Sequence, residues 1–274
     1  MPLDTNHPDF WTEALQFTPT IHRDVYPAIS PSNEDIQQTA HGKLVLITGA
    51  GSGFGKGAAK QWAAANASAI VLAARIQQSI DEVAESLKKT GSTTQFLPIA
   101  TDVSSETDVH NLFQRAIQAF GKIDVVVHCA GVLGPLELIG DAPVDEWWQS
   151  FEINVKGTFL IARELARVSA NNEATFIQTG TAASYFASAQ QSSYTASKLA
   201  TNMILSQLHE VELFGSLTIY LSGPKADFLG NRFIAANWDV TDLEKHQDEI
   251  IAEGLLKSQA FKGDIGPGGH KFKS

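Results

Sequence analysis

Apolar runs alternate with helix-period segments from Lys43 onward. Leu44–Thr48 reads as a short buried strand, followed by a glycine-rich turn and a helix over Phe54–Asn66. Ala69–Ala74 is a second strand, Ser79–Lys89 a helix closed by Gly91, and Gln95–Ala100 a third strand. Ser105 and Asp108 make a capping-box-like start to a helix that ends near Phe120. Ile123–His128 is a fourth strand, Val144–Val168 one long helix, and Ala174–Thr179 a fifth strand; the next helix begins near Ser193. Strands that are apolar throughout, rather than at alternate positions, belong to a parallel sheet covered on both faces. The expected fold class is α/β, a doubly wound parallel sheet in a three-layer αβα arrangement of the dinucleotide-binding type.

Residues 1–41 break this rhythm. They hold five prolines and scattered aromatics (Phe10, Trp11, Phe17, Tyr26) without a sustained period. Aromatics in a free tail would stay exposed, so this N-terminal extension reads as an extended arm lying on a domain that spans 42–274.

Composition then narrows the function classes. The 274 residues are 43% hydrophobic with a net charge of −10, enough for one large core and unfavourable for phosphate backbones or anionic lipid. No nucleic-acid or membrane partner is expected. Cys129 is the one cysteine, so no intrachain disulfide forms. The N-terminus carries Asp4, Asp9 and Glu13 in place of a basic and apolar leader, and a cytoplasmic location is the expectation.

The chemistry concentrates at strand ends. Gly49, Ser52, Gly53, Phe54 and Gly55 lie between a strand and a helix. There glycines let the backbone approach a pyrophosphate and the helix N-terminus faces its charge. A carboxylate at the end of the second strand would bind a ribose 2′-hydroxyl, but Ala74 holds that position and Arg75 follows. A guanidinium binds a 2′-phosphate, so the expected cofactor is NADP (NADPH).

The Thr-Gly-x-x-x-Gly-x-Gly spacing of Thr48–Gly55 resembles the short-chain dehydrogenase/reductase family, and four further segments agree in order over about residues 43–213. Asp102-Val103 is similar to the family's adenine-contacting pair. His128-Cys129-Ala130-Gly131 sits where the family usually has Asn-Asn-Ala-Gly. Asn154-Val155-Lys156-Gly157 matches Asn-Val-x-Gly, and Tyr194-Thr195-Ala196-Ser197-Lys198 matches Tyr-x-x-x-Lys. The resemblance implies an NADP-dependent oxidoreductase interconverting a carbonyl and an alcohol on a small to medium, fairly apolar molecule, with a weaker suggestion of secondary metabolism. Tyr194, Lys198 and Asn154 would be catalytic, and Tyr194, Lys198, Cys129, Ala130 and Gly131 would also contact the cofactor. A tyrosine and lysine four apart share a helix face, and an ammonium beside a phenol favours the phenolate. Homodimers or homotetramers pairing through the helices near Val144 and Ser193, with Phe151, Phe159, Met203 and Leu205, are a further implication.

Departures stand beside the match. The family's catalytic serine falls on Thr181, with Ser184 a weaker substitute. His128 and Cys129 replace amides, which removes hydrogen bonds but keeps the turn. After Lys198 the family continues through a sixth strand and a substrate lid before its last strand. Here Phe214–Leu221 reads as an apolar helix and Arg232–Asn237 as the last strand, leaving no room for strand plus lid. The expectation is an internal deletion, either genuine or from a misplaced intron boundary. The competing function is a non-catalytic NADP-binding paralogue with a degenerate, lidless site.

Overall fold

The computed structural model describes residues 15–169, 174–185, 189–206, 216–230, 232–235 and 238–257. Five parallel strands form one sheet: β1 (Leu44–Thr48), β2 (Ala69–Ala74), β3 (Gln95–Ala100), β4 (Val125–His128) and β5 (Thr175–Gln178), in the order β3-β2-β1-β4-β5. The register sets Ile47 beside Leu72 on one side and Val127 on the other.

The continuous apolar runs have a direct cause. Val45, Ile47, Ile70, Leu72, Val125, Val127 and Ile177 face one layer, and Leu44, Leu46, Ala69, Val71, Val126 and Phe176 face the other. Both sets are buried, and each fully buried aliphatic side chain is worth roughly 1.5–3 kcal/mol. The first layer holds α1 (Glu34–Ala40), α2 (Gly53–Ala64) and α3 (Gln77–Lys88), the last contributing Ile80, Val83, Ala84 and Leu87 at helical spacing. The second layer holds α4 (Glu106–Phe120), whose Val109, Leu112, Phe113 and Ala116 are buried. Ser105 Oγ accepts from the Asp108 N–H at 3.2 Å, and Gly121 closes the helix at a φ of 82°.

The helix expected over Val144–Val168 is interrupted. It consists of α5 (Val144–Phe151), a π-helical turn at Glu152–Lys156 and α6 (Gly157–Val168). A wide turn inserts one residue into the ladder and is common at functional positions; it carries Asn154. α7 (Ser192–Ser206) follows β5. Beyond it come α8 (Ser216–Leu221), a 3-10 turn at Pro224–Leu229, α9 (Val240–Lys245) and α10 (Gln247–Ala252). The first part of the expected Phe214–Leu221 helix, residues 214–215, lies outside the described residues.

Two expectations need correction. Arg232–Asn237 is not a last strand. Arg232 makes one antiparallel bridge to Lys257, the Phe233 N–H donates to Leu256 O at 2.7 Å, and Ile234 packs in the first layer rather than at the β5 edge. Residues 236–237 lie outside the described residues. The arm is not wholly extended either: Asn33 Oδ1 caps α1 by accepting from the Asp35 N–H at 2.9 Å. Phe17, Tyr26, Ile29 and Ile36 are buried in the first layer with Trp238, Val240 and Leu243. The Phe17 and Trp238 rings lie 4.9 Å apart, His22 stacks on Tyr26 at 3.7 Å, and His22 Nε2 meets Asp239 Oδ2 at 2.9 Å. Phe10 and Trp11 lie outside the described residues. No described helix is long and apolar enough to cross a membrane.

Candidate active site

The sheet order reverses between β1 and β4, which parts the loops at their C-terminal ends and opens a crevice. A cleft of about 490 Å³ lies there, lined by Gly49, Ser52, Gly53, Phe54, Gly55, Arg75, Asp102, Val103, Cys129, Ala130 and Gly131. Tyr194 and Lys198 are not among its lining residues. The turn that forms its floor requires glycine twice. Gly49 has a φ of 65°, and a Cβ there would stand 2.9 Å from the Ala130 nitrogen. A Cβ on Gly55 would collide with the Gly49 carbonyl, so glycine lets α2 start close against β1. The N-terminus of α2 faces the cleft through Ser52, Gly53 and Phe54.

Asp102 and Arg75 share the far wall. Burial opposes ionisation of Asp102. Hydrogen bonds from Ser104 Oγ at 2.7 Å and the Ser104 N–H at 2.9 Å, with the Arg75 and Lys156 charges, outweigh it and lower the carboxyl pKa. Arg75 is exposed on this wall, next to half-buried Ala74.

At the other end of the cleft, the π turn, α7 and the loop after β4 converge. Asn154 is buried; its Oδ1 accepts from the Val132 N–H at 2.9 Å, and its Nδ2 donates to Val132 O and to Ser197 Oγ, both at 2.9 Å. Lys198, 3% exposed, donates from Nζ to Thr179 O at 2.9 Å. Gly131 sits between the two, since a Cβ built on it would lie 3.1 Å from Asn154 Oδ1 and 3.4 Å from Lys198 Nζ. Tyr194 is half-buried in the first turn of α7, one turn before Lys198. Thr181 lies just after β5; its Oγ1 accepts from the Ala183 N–H at 3.2 Å, which leaves the hydroxyl proton to donate elsewhere. Ser184 is buried and its Oγ meets no partner.

His128 does more than fill a turn. Its Nδ1 lies 2.7 Å from Thr48 Oγ1, which also accepts from the Ala130 N–H at 3.2 Å. That hydroxyl can give its own proton to Nδ1 or take one from Nδ1–H on its second lone pair, and Nε2 is buried without a partner in either tautomer. Burial, with the Lys198 charge acting in the same direction, pushes the imidazole pKa down to about 3. Burial likewise pushes the Cys129 thiol up to about 11, against a Thr179 hydrogen bond and the Lys198 charge, so it stays a thiol. The expectation that His128 only removes hydrogen bonds is corrected: it ties the end of β4 to Thr48.

The sequence reading treated Thr179 as a strand-end residue that could simply pack, whereas its carbonyl holds Lys198, and it did not single out Gln178 or Thr158. Gln178 Nε2 donates to the same Thr179 carbonyl at 3.2 Å, and Thr158 Oγ1 donates to Asn154 O at 2.6 Å. Polar residues inside otherwise apolar strands, His128 and Gln178, were the available signal.

A sequence profile described as short chain dehydrogenase matches residues 43–213, more than half of the chain. This chain belongs to the short chain dehydrogenase family. It is thus an oxidoreductase that works with a nicotinamide cofactor, NAD or NADP, on a small molecule. A short chain dehydrogenase of Monascus ruber, pigC, is 30% identical over 287 aligned positions, covering 88% of this chain and 92% of the relative. A 3-ketoacyl-ACP reductase from Sinorhizobium meliloti 1021 is 28% identical with a TM-score of 0.58, covering 61% of this chain and 69% of that one. A short chain dehydrogenase from Mycobacterium smegmatis, 19% identical with a TM-score of 0.61 and covering 70% of this chain and 75% of that one, shares the fold.

Proposed function

We propose that this family member is an NADPH-preferring carbonyl reductase in which Tyr194, Lys198, Asn154 and Thr181 are the catalytic residues. The observation that carries the reading is the meeting of Asn154, Gly131 and Lys198 at the end of the glycine-floored cleft, with Tyr194 one turn before Lys198. The reductase name of the Sinorhizobium meliloti relative supports carbonyl reduction.

The cleft fits a dinucleotide. The glycine floor and the α2 N-terminus suit a pyrophosphate, Asp102 and Val103 an adenine, and Arg75 a 2′-phosphate. Cys129, Ala130 and Gly131 would border the nicotinamide half, with Tyr194 and Lys198 closing it. When bound, the cofactor would supply a hydride equivalent to the substrate carbon. Tyr194 gives its phenolic proton to the carbonyl oxygen as charge develops there. Lys198, held by Thr179 O, favours the phenolate that results. Thr181 donates its remaining hydroxyl proton to the same oxygen and orients it, and Asn154 locks the Val132 backbone beside the pair. Cys129 remains a neutral thiol and acts as packing.

An internal deletion after α7 is part of this reading. Its support is the alignment to the Monascus ruber relative, which runs over 287 positions, more than the chain's 274 residues, while using 88% of them. The relative therefore carries residues that have no counterpart here, and this reading places them after α7 from the short interval that follows Lys198 in the sequence. A site with less cover admits water and positions substrate less tightly. The expected activity is slow, poorly selective reduction of activated carbonyls.

The test is NADPH oxidation against a panel of aldehydes, diketones and quinones, with Tyr194→Phe in parallel. Activity lost in the variant supports the reading. Equal inactivity of both proteins with NADPH still bound would leave a non-catalytic binding protein in its place, and equal activity would remove Tyr194 as proton donor.

A further inference from the structure

Three polar contacts join the helix that carries Asn154 to the helix that carries Tyr194. Trp147 Nε1 donates to Ser192 Oγ at 3.0 Å, Ser150 Oγ donates to Ser193 Oγ at 3.4 Å, and Asn154 Nδ2 donates to Ser197 Oγ at 2.9 Å. Positions 147, 150 and 154 recur at the spacing of one helix face, and their partners 192, 193 and 197 advance in the same direction. The two helices therefore run side by side with a fixed register, and Tyr194 falls between the second and third contacts. Ser150, Ser193 and Ser197 are fully buried. Gly134, at a φ of 71°, presses its backbone into the gap between Ser150 and Ser193, where a Cβ would collide with both hydroxyls.

The outermost contact is the one at the start of α7. Ser192 is the first residue of that helix, and Thr195 closes its first turn by donating from N–H to Gln191 O at 2.9 Å. Trp147 is itself held, because its ring stacks on Phe151 with centroids 4.9 Å apart and an angle of 20° between planes. A rigid indole that donates one hydrogen bond to a helix's first residue fixes where that turn sits. Two residues later comes Tyr194.

We propose that Trp147 is a positioning residue for Tyr194, acting through Ser192. The proposal rests on the reading of Tyr194 as proton donor for the kinetic arm of its test and on geometry alone for the second arm. Trp147→Phe keeps the aromatic stack and deletes the N–H; Ser192→Ala deletes the acceptor; Ser192→Thr keeps it. Each of the first two is expected to lower kcat roughly three- to tenfold, the worth of one neutral hydrogen bond, with the KM for NADPH unmoved. The double variant is expected to be no worse than either single one, because both remove the same contact, and Ser192→Thr to retain wild-type kcat. A helix that merely lost stability would change NADPH binding and the thermal midpoint alongside kcat.

Full activity in both single variants, or losses that multiply in the double variant, overturns the proposal. If the wild type reduces nothing on the carbonyl panel, the reductase reading fails on its own. The positioning claim is then decided by amide hydrogen exchange at Thr195–Lys198 in the full chain. Exchange at least threefold faster in Trp147→Phe and Ser192→Ala supports it, and unchanged exchange overturns it.

Discussion

Replacing His128 with asparagine is expected to flatten the pH dependence of stability. In the unfolded chain a histidine takes a proton near pH 6.5, whereas the folded site holds His128 neutral down to about 3. Between those values the unfolded state binds the extra proton, so this residue's contribution is fully present above pH 6.5 and is lost as the pH falls towards 3. Each pH unit inside the window costs about 1.4 kcal/mol. Between pH 8 and pH 5 the loss amounts to about 2 kcal/mol. The structural cause is local: Nδ1 is held by Thr48 Oγ1, Nε2 has no partner, and an imidazolium there would be a buried charge with one N–H unpaired and the Lys198 charge acting against it. The assay is urea unfolding followed by tryptophan fluorescence at both pH values, in wild type and His128→Asn. The other histidines are common to both proteins and cancel. Wild type should lose about 2 kcal/mol more than the variant on going to pH 5. Equal losses would mean that the imidazole already takes its proton in the folded chain, and the argument from burial would be wrong.

Two more expectations follow from named side chains. Arg75→Ala should erase most of the preference for NADPH over NADH, since a charged hydrogen-bonded contact contributes about 1.5–3 kcal/mol; equal affinities of the wild type for both cofactors in a fluorescence titration would refute the assignment. Trp148 on α5 is 57% exposed, and Phe159 on α6 and Met203 on α7 are exposed too. If the chain pairs through these helices, Trp148→Glu should turn a dimer or tetramer into a monomer by light scattering, and a wild type already monomeric at micromolar concentration would count against pairing.

The sheet was legible because each strand is buried on both faces, and burial of that kind leaves an unbroken apolar run. β1, β2 and β3 coincide with their predicted bounds. The Ser105 cap was legible because hydroxyl and carboxylate stand at fixed spacing. The π turn at Glu152–Lys156 was not, since one inserted residue barely disturbs a 3.6-residue period. α1 was hidden by the prolines around it, although Asn33 marks its start. The run Phe233-Ile234-Ala235 suggested a strand because it is apolar, but apolarity alone does not distinguish a sheet edge from a coil packed on the core. Leu205 was grouped with residues for subunit pairing, yet it is fully buried with Leu160 and Leu165. At the site, the motifs pointed to the side chains proposed here to do chemistry, while their backbone partners, Val132 and the Thr179 carbonyl, carry no signature in residue type.

The arm's contacts also bear on how the chain is made. Trp238 Nε1 donates to Leu15 O, Tyr26 OH donates to Trp238 O, and the Val240 N–H donates to Tyr26 OH. Each joins residues more than 210 positions apart in sequence. At a synthesis rate of roughly 5–20 residues per second, the arm emerges about ten to forty seconds before these partners exist. During that interval Phe17, Tyr26 and Ile29 are exposed to chaperones and to other nascent chains. The sheet, whose five strands all precede Thr179, can pair meanwhile. One flank of the interior then closes only when Trp238, Val240 and Leu243 have left the ribosome, which makes the burial of the arm wait on residues far downstream of the sheet.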